Sequence, residues 1–557
     1  MAPTSDILVR HFRQILIWPL QLMPMSHLPG ELKAMGRQWE ILQRAASEGS
    51  PWQPRATEFD TSPEQFEERH YREFITFLPY VQRFLYGEQV SMAGDIASYG
   101  RSPLHVFRRS DIQQVLMVFK DGATHHFKVA HIDLYFFYDV DVVILAFEIM
   151  GNDLPLRRVQ DALFRFGRAY PAQWDGPREA ANCLRKVAWL DADGEVLAES
   201  DYEERQAYLS HMGQYRAPRM AEHWAYLLNP LVPHHSGLEG EVRYRQIEYH
   251  RMPLMAYIAV DDPFALRDED FYALGTVGKP GEDQILPLTP KLLADFEADC
   301  CFDRFWAPEQ RHRSASTRMM CSGHAFIMVG QHGNEFYSNP YTGVLGQFRH
   351  QHFLLVLIAH FHKSALLLFS DRMAAALSAL NLKDPLSIRH FKREIRLLLE
   401  SFLRFNQRYW FREVSHQIVS SQLFGMMNRH LDTVRQHEEV RESVQSMNQY
   451  LENDDLRRQA DTVVRLTVVT IFGLLGTTIT GFLGMNLFDL AAESGWMKLL
   501  YFAAVSLPTA GLIFYTVARS KSLSEFLDAM SDERVSNKQA FVALRNVWRK
   551  KKAQPPV

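Results

Sequence analysis

The sequence predicts an α+β membrane protein: a cytoplasmic α/β domain, a long helical stalk and two C-terminal transmembrane helices. Three observations predict it. Two runs near the C-terminus carry no charge, Leu466 to Phe488 and Leu499 to Ala518, and each supplies the roughly 20 residues a helix needs to cross a bilayer. No proline or glycine occurs from Met426 to Phe472, so a long helix can lead into the first run. The chain before that mixes short apolar runs with turn residues, the pattern of strands alternating with helices. The predicted segments are 1–345 (α/β domain), 346–462 (helical stalk region), 463–488 (first span), 489–498 (external loop), 499–518 (second span) and 519–557 (basic tail).

The bulk composition sets limits on function. A net charge of −4 over 557 residues lacks the basic field that nucleic-acid binding needs, so no nucleic-acid partner is expected. The four cysteines, Cys183, Cys300, Cys301 and Cys321, form no C-x-x-C. That points to a reducing compartment, with neither a disulfide framework nor a thiolate zinc site. Arg10 and Arg13 precede "ILIWPLQLMPM", which has the outline of a leader. Pro19 interrupts it and no small-x-small cleavage site follows, so a cleaved leader is not expected.

Within the α/β domain, "VDVVILAFEIM" (Val140 to Met150) reads as a buried strand. Leu156, Val159, Leu163 and Phe164 then mark an amphipathic helix. Lys186 to Glu199 reads as a hairpin around Asp193-Gly194. Met252 to Val260 and His324 to Gly330 read as further strands of a mixed sheet. No nucleotide-binding glycine fingerprint and no catalytic constellation is present, so no enzyme activity is expected.

From about Gln347 the chain turns helical. Phe353 to Phe369 is apolar enough to compete for a membrane span, but His360, His362 and Lys363 lie at its centre, where charge in lipid is costly. It reads as a buried helix. A second helical region follows Pro385, and its last helix is expected to run without a break from Met426 through Phe472. Val440, Val444, Met447 and Leu451 put a narrow apolar stripe on it, flanked by charges, as in a bundled stalk. Arg457, Arg458 and Arg465 precede the first span, and Arg519 and Lys521 follow the second. The positive-inside rule therefore places both termini in the cytoplasm and the short loop outside.

The first run ends in "GFLGMN" and is followed by the short link "LFDLAAESGW" and the second run. This arrangement resembles the CorA magnesium-transporter superfamily, whose signature is Gly-Met-Asn closing the first of two C-terminal spans. The resemblance covers about Gln417 to Arg519. Leu483 stands where the family often has an aromatic residue, and the link departs from the family's Met-Pro-Glu-Leu. Both differences bear on ion preference rather than architecture. The resemblance implies a homopentamer whose first spans line one pore in the inner or plasma membrane. It also implies divalent-cation uptake driven by the membrane potential, with magnesium foremost. Zinc, cobalt or nickel transport in the same superfamily, with or without proton coupling, is the alternative. A membrane-tethered sensor is a second one. No cofactor is expected beyond the transported ion.

Magnesium dehydrates reluctantly, so a ring of neutral amide oxygens that accepts hydrogen bonds from its bound water suits it. Gly484, Met485 and Asn486 are the expected filter, with Asn486 meeting the hydrated ion and Gly484 permitting a helix-ending turn. The positions then facing the axis are Val463, Leu466, Thr470, Leu474, Thr477 and Gly481, in steps of three and four. Gly473 and Gly476 are read as packing residues. Asp489 and Glu493 lie at the outer mouth, where acids concentrate cations. Two further features are weighed. The acids Asp261, Asp262, Asp268, Glu269 and Asp270 are candidates for regulatory magnesium, against a plain solvated loop. The tail Asn537 to Lys552 reads as a basic helix facing anionic lipid. The His125-His126 and His234-His235 pairs, and His350, His352, His360 and His362, lack the further ligands of a zinc site.

Overall fold

The computed structural model describes residues 7–23, 37–55, 68–87, 103–176, 179–248, 250–279, 288–310, 315–381, 384–484 and 494–518. It divides into two compact units, Met1–Ser443 and Val444–Val557.

The leader-like N-terminal run is part of the strand Leu8–Leu22, which sits inside a 14-stranded mixed sheet. Its antiparallel neighbours are Val142–Pro155 on one side, and Leu254–Val260 and Arg243–Gln246 on the other. Ile15, Leu16, Ile17, Trp18 and Leu20 are all buried, and a strand covered on both faces reads as an unbroken apolar run. Pro19 is tolerated because of where it falls. Leu254–Val260 pairs the strand only as far as Leu16, and Arg243–Gln246 takes over at Leu20. The Ile17 N–H still reaches the Pro253 carbonyl at 2.8 Å. Two residues on, Pro19 has no N–H to offer where one neighbour gives way to the next.

Outward from Val142–Pro155 the order is Thr124–Phe137, Gln114–Val118, Lys186–Leu190 and Val196–Glu199. The last two form the expected hairpin, with Gly194 at φ +87 in its turn. On the other side, Leu254–Val260 pairs in parallel with Ala325–Gln331, followed by Thr317–Cys321 and Cys301–Phe305. At Gly330 a Cβ would lie 2.4 Å from the Tyr337 ring. That ring is pinned by its own hydroxyl donating to the Ile258 carbonyl at 2.9 Å, so no side chain fits there.

Helix Leu156–Arg165 buries Leu156, Val159 and Leu163, as expected, and Ala162 besides. Phe164 is only half-buried, with the Arg168 guanidinium 4.9 Å from its ring centre. The apolar helix that begins at Val344 and ends at Ser378 packs on the strands Leu8–Leu22 and Val142–Pro155 and on two neighbouring helices, Pro385–Arg408 and Ile418–Leu431. His362 is buried in it and donates from Nε2 to the Tyr409 carbonyl at 2.5 Å. The helical region is thus joined to the sheet up to Ser443.

One expectation fails in this region. The stalk does not run unbroken from Met426: helix Ile418–Leu431 ends, Asp432 turns left-handed at φ 56, and a new helix spans Thr433–Gly484. Asp tolerates that conformation better than most residues. Lys363 Nζ donates to the Leu431 carbonyl at 3.0 Å, satisfying a helix-end acceptor that the break leaves open.

Candidate functional site

The six positions expected to face the axis, Val463, Leu466, Thr470, Leu474, Thr477 and Gly481, form a second stripe on helix Thr433–Gly484, and all six are exposed. At about 100° per residue they span about 80° of its circumference. The opposite face is the covered one. There Val468 is buried, Phe472 is half-buried, and a Cβ on Gly476 would lie 3.2 Å from Thr509 of helix Gly495–Ala518. Gly476 is therefore a packing residue, as expected, whereas a Cβ on Gly473 meets nothing within 4 Å. The stripe faces away from the second helix. Apolar surface is left uncovered on both helices: Leu466, Ile471 and Leu474 on the first, and Trp496, Phe502 and Leu507 on the second, with Leu474 and Leu507 each 71% exposed.

The threonine hydroxyls are already engaged. Thr470 donates to the Leu466 carbonyl at 2.8 Å, and Thr477 to the Gly473 carbonyl at 2.8 Å. These back-bonds consume each hydroxyl hydrogen and leave the oxygen as an acceptor. An acceptor matches a hydrated cation, whose water hydrogens point outward.

The described part of the helix reaches Gly484. Met485, Asn486, Asp489 and Glu493 lie outside the described residues, as does the tail Asn537 to Lys552. Among the described residues, one helix is long and apolar enough to cross a membrane by length and composition. It is Val344–Ser378, and it is mostly buried inside the fold. The apolar part of helix Thr433–Gly484 is shorter there, Thr462–Leu474.

The acids around Asp261 are largely committed within the fold. Asp261 accepts two hydrogen bonds from Arg10, each 3.0 Å. Asp262 caps the Phe264 N–H at 2.9 Å, and Asp270 accepts from the Arg267 N–H at 3.0 Å. Asp268 and Glu269 sit in the first turn of helix Asp268–Gly275, where the helix dipole favours acids. Of the histidines, His352, His360 and His362 are buried in the core. Burial lowers His352 and His362 to about 4, and His350 pairs with Glu73 at 2.9 Å.

Three features were not visible in the sequence. The first is a buried charge network on the sheet. Glu148, fully buried, meets Arg13 at 2.6 Å, His131 at 2.9 Å and Arg349 at 3.6 Å. Beside it Asp133, also fully buried, holds Arg108 at 2.7 Å. Burial raises a carboxyl pKa, but the His131 hydrogen bond and the charges of His131, Arg13 and Arg349 outweigh it and hold Glu148 at about 2. The second is a cavity of about 780 Å³ bordered by Arg37, Trp39, His105, Arg408, Trp410 and Arg412. Its described lining contains no serine, threonine or cysteine nucleophile. The third is a trio of metal-ligand types, Asp299, Cys300 and His430.

No protein-family model, curated protein or solved structure matches this chain.

Proposed function

We propose that this chain is one subunit of a CorA-like homopentameric channel that conducts divalent cations, magnesium foremost, across the inner or plasma membrane. The observation that carries the reading is the stripe of Val463, Leu466, Thr470, Leu474, Thr477 and Gly481. It is exposed along a helix whose opposite face packs on its neighbour, and it leads straight to Gly484-Met485-Asn486. A helix that covers its back and bares its apolar front needs company in front. Copies of itself around an axis provide that company, and lipid covers the exposed apolar residues of the outer helix.

The parts divide the work. Apolar rings at Leu466 and Leu474 empty of water when narrow and so close the pathway. Thr470 and Thr477 present acceptor oxygens to the ion's water. Asn486 accepts hydrogen bonds from the same water at the mouth, and its neutral dipole holds the ion weakly enough for release. Asp489 and Glu493 raise the local cation concentration outside. A doubly charged ion gains about 4.6 kcal/mol at 100 mV, so the membrane potential alone drives entry. Trp496, exposed at the start of the second helix, suits the aromatic belt at the membrane surface.

Assembly is the direct test of this arrangement. Native mass measurement of the detergent-purified chain is expected to give a closed ring of five copies. A monomer or dimer as the only species rules out a central pore built from one helix per chain.

A further inference from the structure

We propose that Asp299, Cys300 and His430 form a binding site for one zinc-class ion per chain, separate from the ion pathway. The three residues come from two helix ends. Asp299 and Cys300 close helix Pro290–Cys300, and His430 lies in the last turn of helix Ile418–Leu431. One ligand atom from each falls within 4.8 Å of the others. Tetrahedral zinc, with bonds of about 2.0–2.3 Å, holds its ligands about 3.3–3.8 Å apart, so closure asks for a shift of about 1 Å.

A second observation points the same way. His430 Nε2 lies 3.0 Å from the Asp299 carbonyl. A carbonyl only accepts, so Nε2 carries the hydrogen, and Nδ1 is left as the lone-pair nitrogen of the neutral ring. Donation of the other ring N–H to a carbonyl is the usual support of a metal-bound histidine. The competing contact is weak: Arg429 reaches Asp299 at 3.6 Å with both side chains more than half exposed.

The donor set selects the ion. A thiolate, an imidazole and one carboxylate suit zinc, cobalt or cadmium, whereas magnesium prefers an all-oxygen shell. Cys300 is half-buried, and a cysteine binds metal as its thiolate. On binding, the sulfur–proton bond breaks, the proton goes to solvent, and the sulfur lone pair forms the metal bond without any redox step. Three protein ligands leave the fourth position for water. The ion then ties the end of helix Pro290–Cys300 to the end of helix Ile418–Leu431, immediately before the Asp432 turn. The site does not depend on the transport reading.

Cobalt(II) titration of the full-length purified chain tests the site. A stoichiometric near-ultraviolet thiolate-to-cobalt charge-transfer band is expected, displaced by zinc and unmoved by excess magnesium. Cobalt held through water in a pore gives no such band, so the two locations read separately. Cys300→Ser should abolish the band, and His430→Gln or Asp299→Asn should weaken zinc binding by at least about tenfold. Cys183→Ser should leave both unchanged, with circular dichroism verifying the fold of each variant. Absence of the band in the unmodified chain, or its persistence in folded Cys300→Ser, overturns the proposal.

Discussion

Replacing Asn486 by Ala is expected to cut divalent-cation uptake by at least about tenfold while leaving ring assembly intact. Its amide holds the only side-chain oxygen in "GFLGMNL". An incoming hydrated ion has to exchange bulk-water hydrogen bonds for others, and alanine offers none. Asn486→Asp is the informative companion, because it restores an oxygen of the same reach but adds a charge in each subunit. Tighter holding then slows release, so throughput is expected to stay below that of the unmodified protein while block by competing divalent ions strengthens. Uptake by cells carrying equal surface amounts of each variant measures both effects. Unchanged uptake in the alanine variant removes Asn486 from the filter.

The second large effect is on stability. Glu148→Ala strands Arg13, His131 and Arg349 around a fully buried site. Breaking a buried ion pair on one side costs about 3–5 kcal/mol. Spread over the entropy of unfolding the sheet unit, at about 2.1 cal/mol/K per residue, that cost lowers the melting temperature by about 3–5 °C. The pH dependence has a definite sign. Glu148 moves from an ordinary 4.5 to about 2 in the fold, so its contribution is complete above 4.5 and is lost as pH falls through about 2. His352 and His362, lowered from 6.5 to about 4, are buried neutral, and their contribution begins to fade below 6.5. Acid unfolding should therefore start with the histidines and steepen near the carboxylate, and Glu148→Ala should remove the lowest-pH part. A melt within 1 °C of the unmodified protein, about a third of the smallest expected shift, excludes the network as a stabilising element.

What the sequence made legible was local. Val140 to Met150 announced a strand because Val142 to Phe147 is an unbroken apolar run rich in β-branched residues, and the strand Val142–Pro155 is covered on both faces over that run. Asp193-Gly194 announced a turn because Gly194 alone there adopts a positive φ without cost. The N-terminal run was ambiguous because a leader and a doubly covered strand obey the same apolar rule, and only its pairing partners from Val142 and Leu254 onward separate the two. The break at Asp432 carries no glycine or proline, and the Lys363 that caps it lies 68 residues away. Glu148 and Arg13 are 135 residues apart, and His430 and Asp299 are 131 apart. Contacts at such separations are decided by topology, which periodicity does not report. The threonine back-bonds, by contrast, need only the helix itself.

Magnesium entry into proteoliposomes under an imposed potential measures conduction by the purified chain alone. Purified chain in vesicles loaded with a magnesium-sensitive dye is given an inside-negative potassium diffusion potential. Entry is expected to rise with the potential, saturate with external magnesium, and fall at least about tenfold with Asn486→Ala. Entry no faster than in protein-free vesicles, or entry indifferent to the potential, contradicts the channel reading.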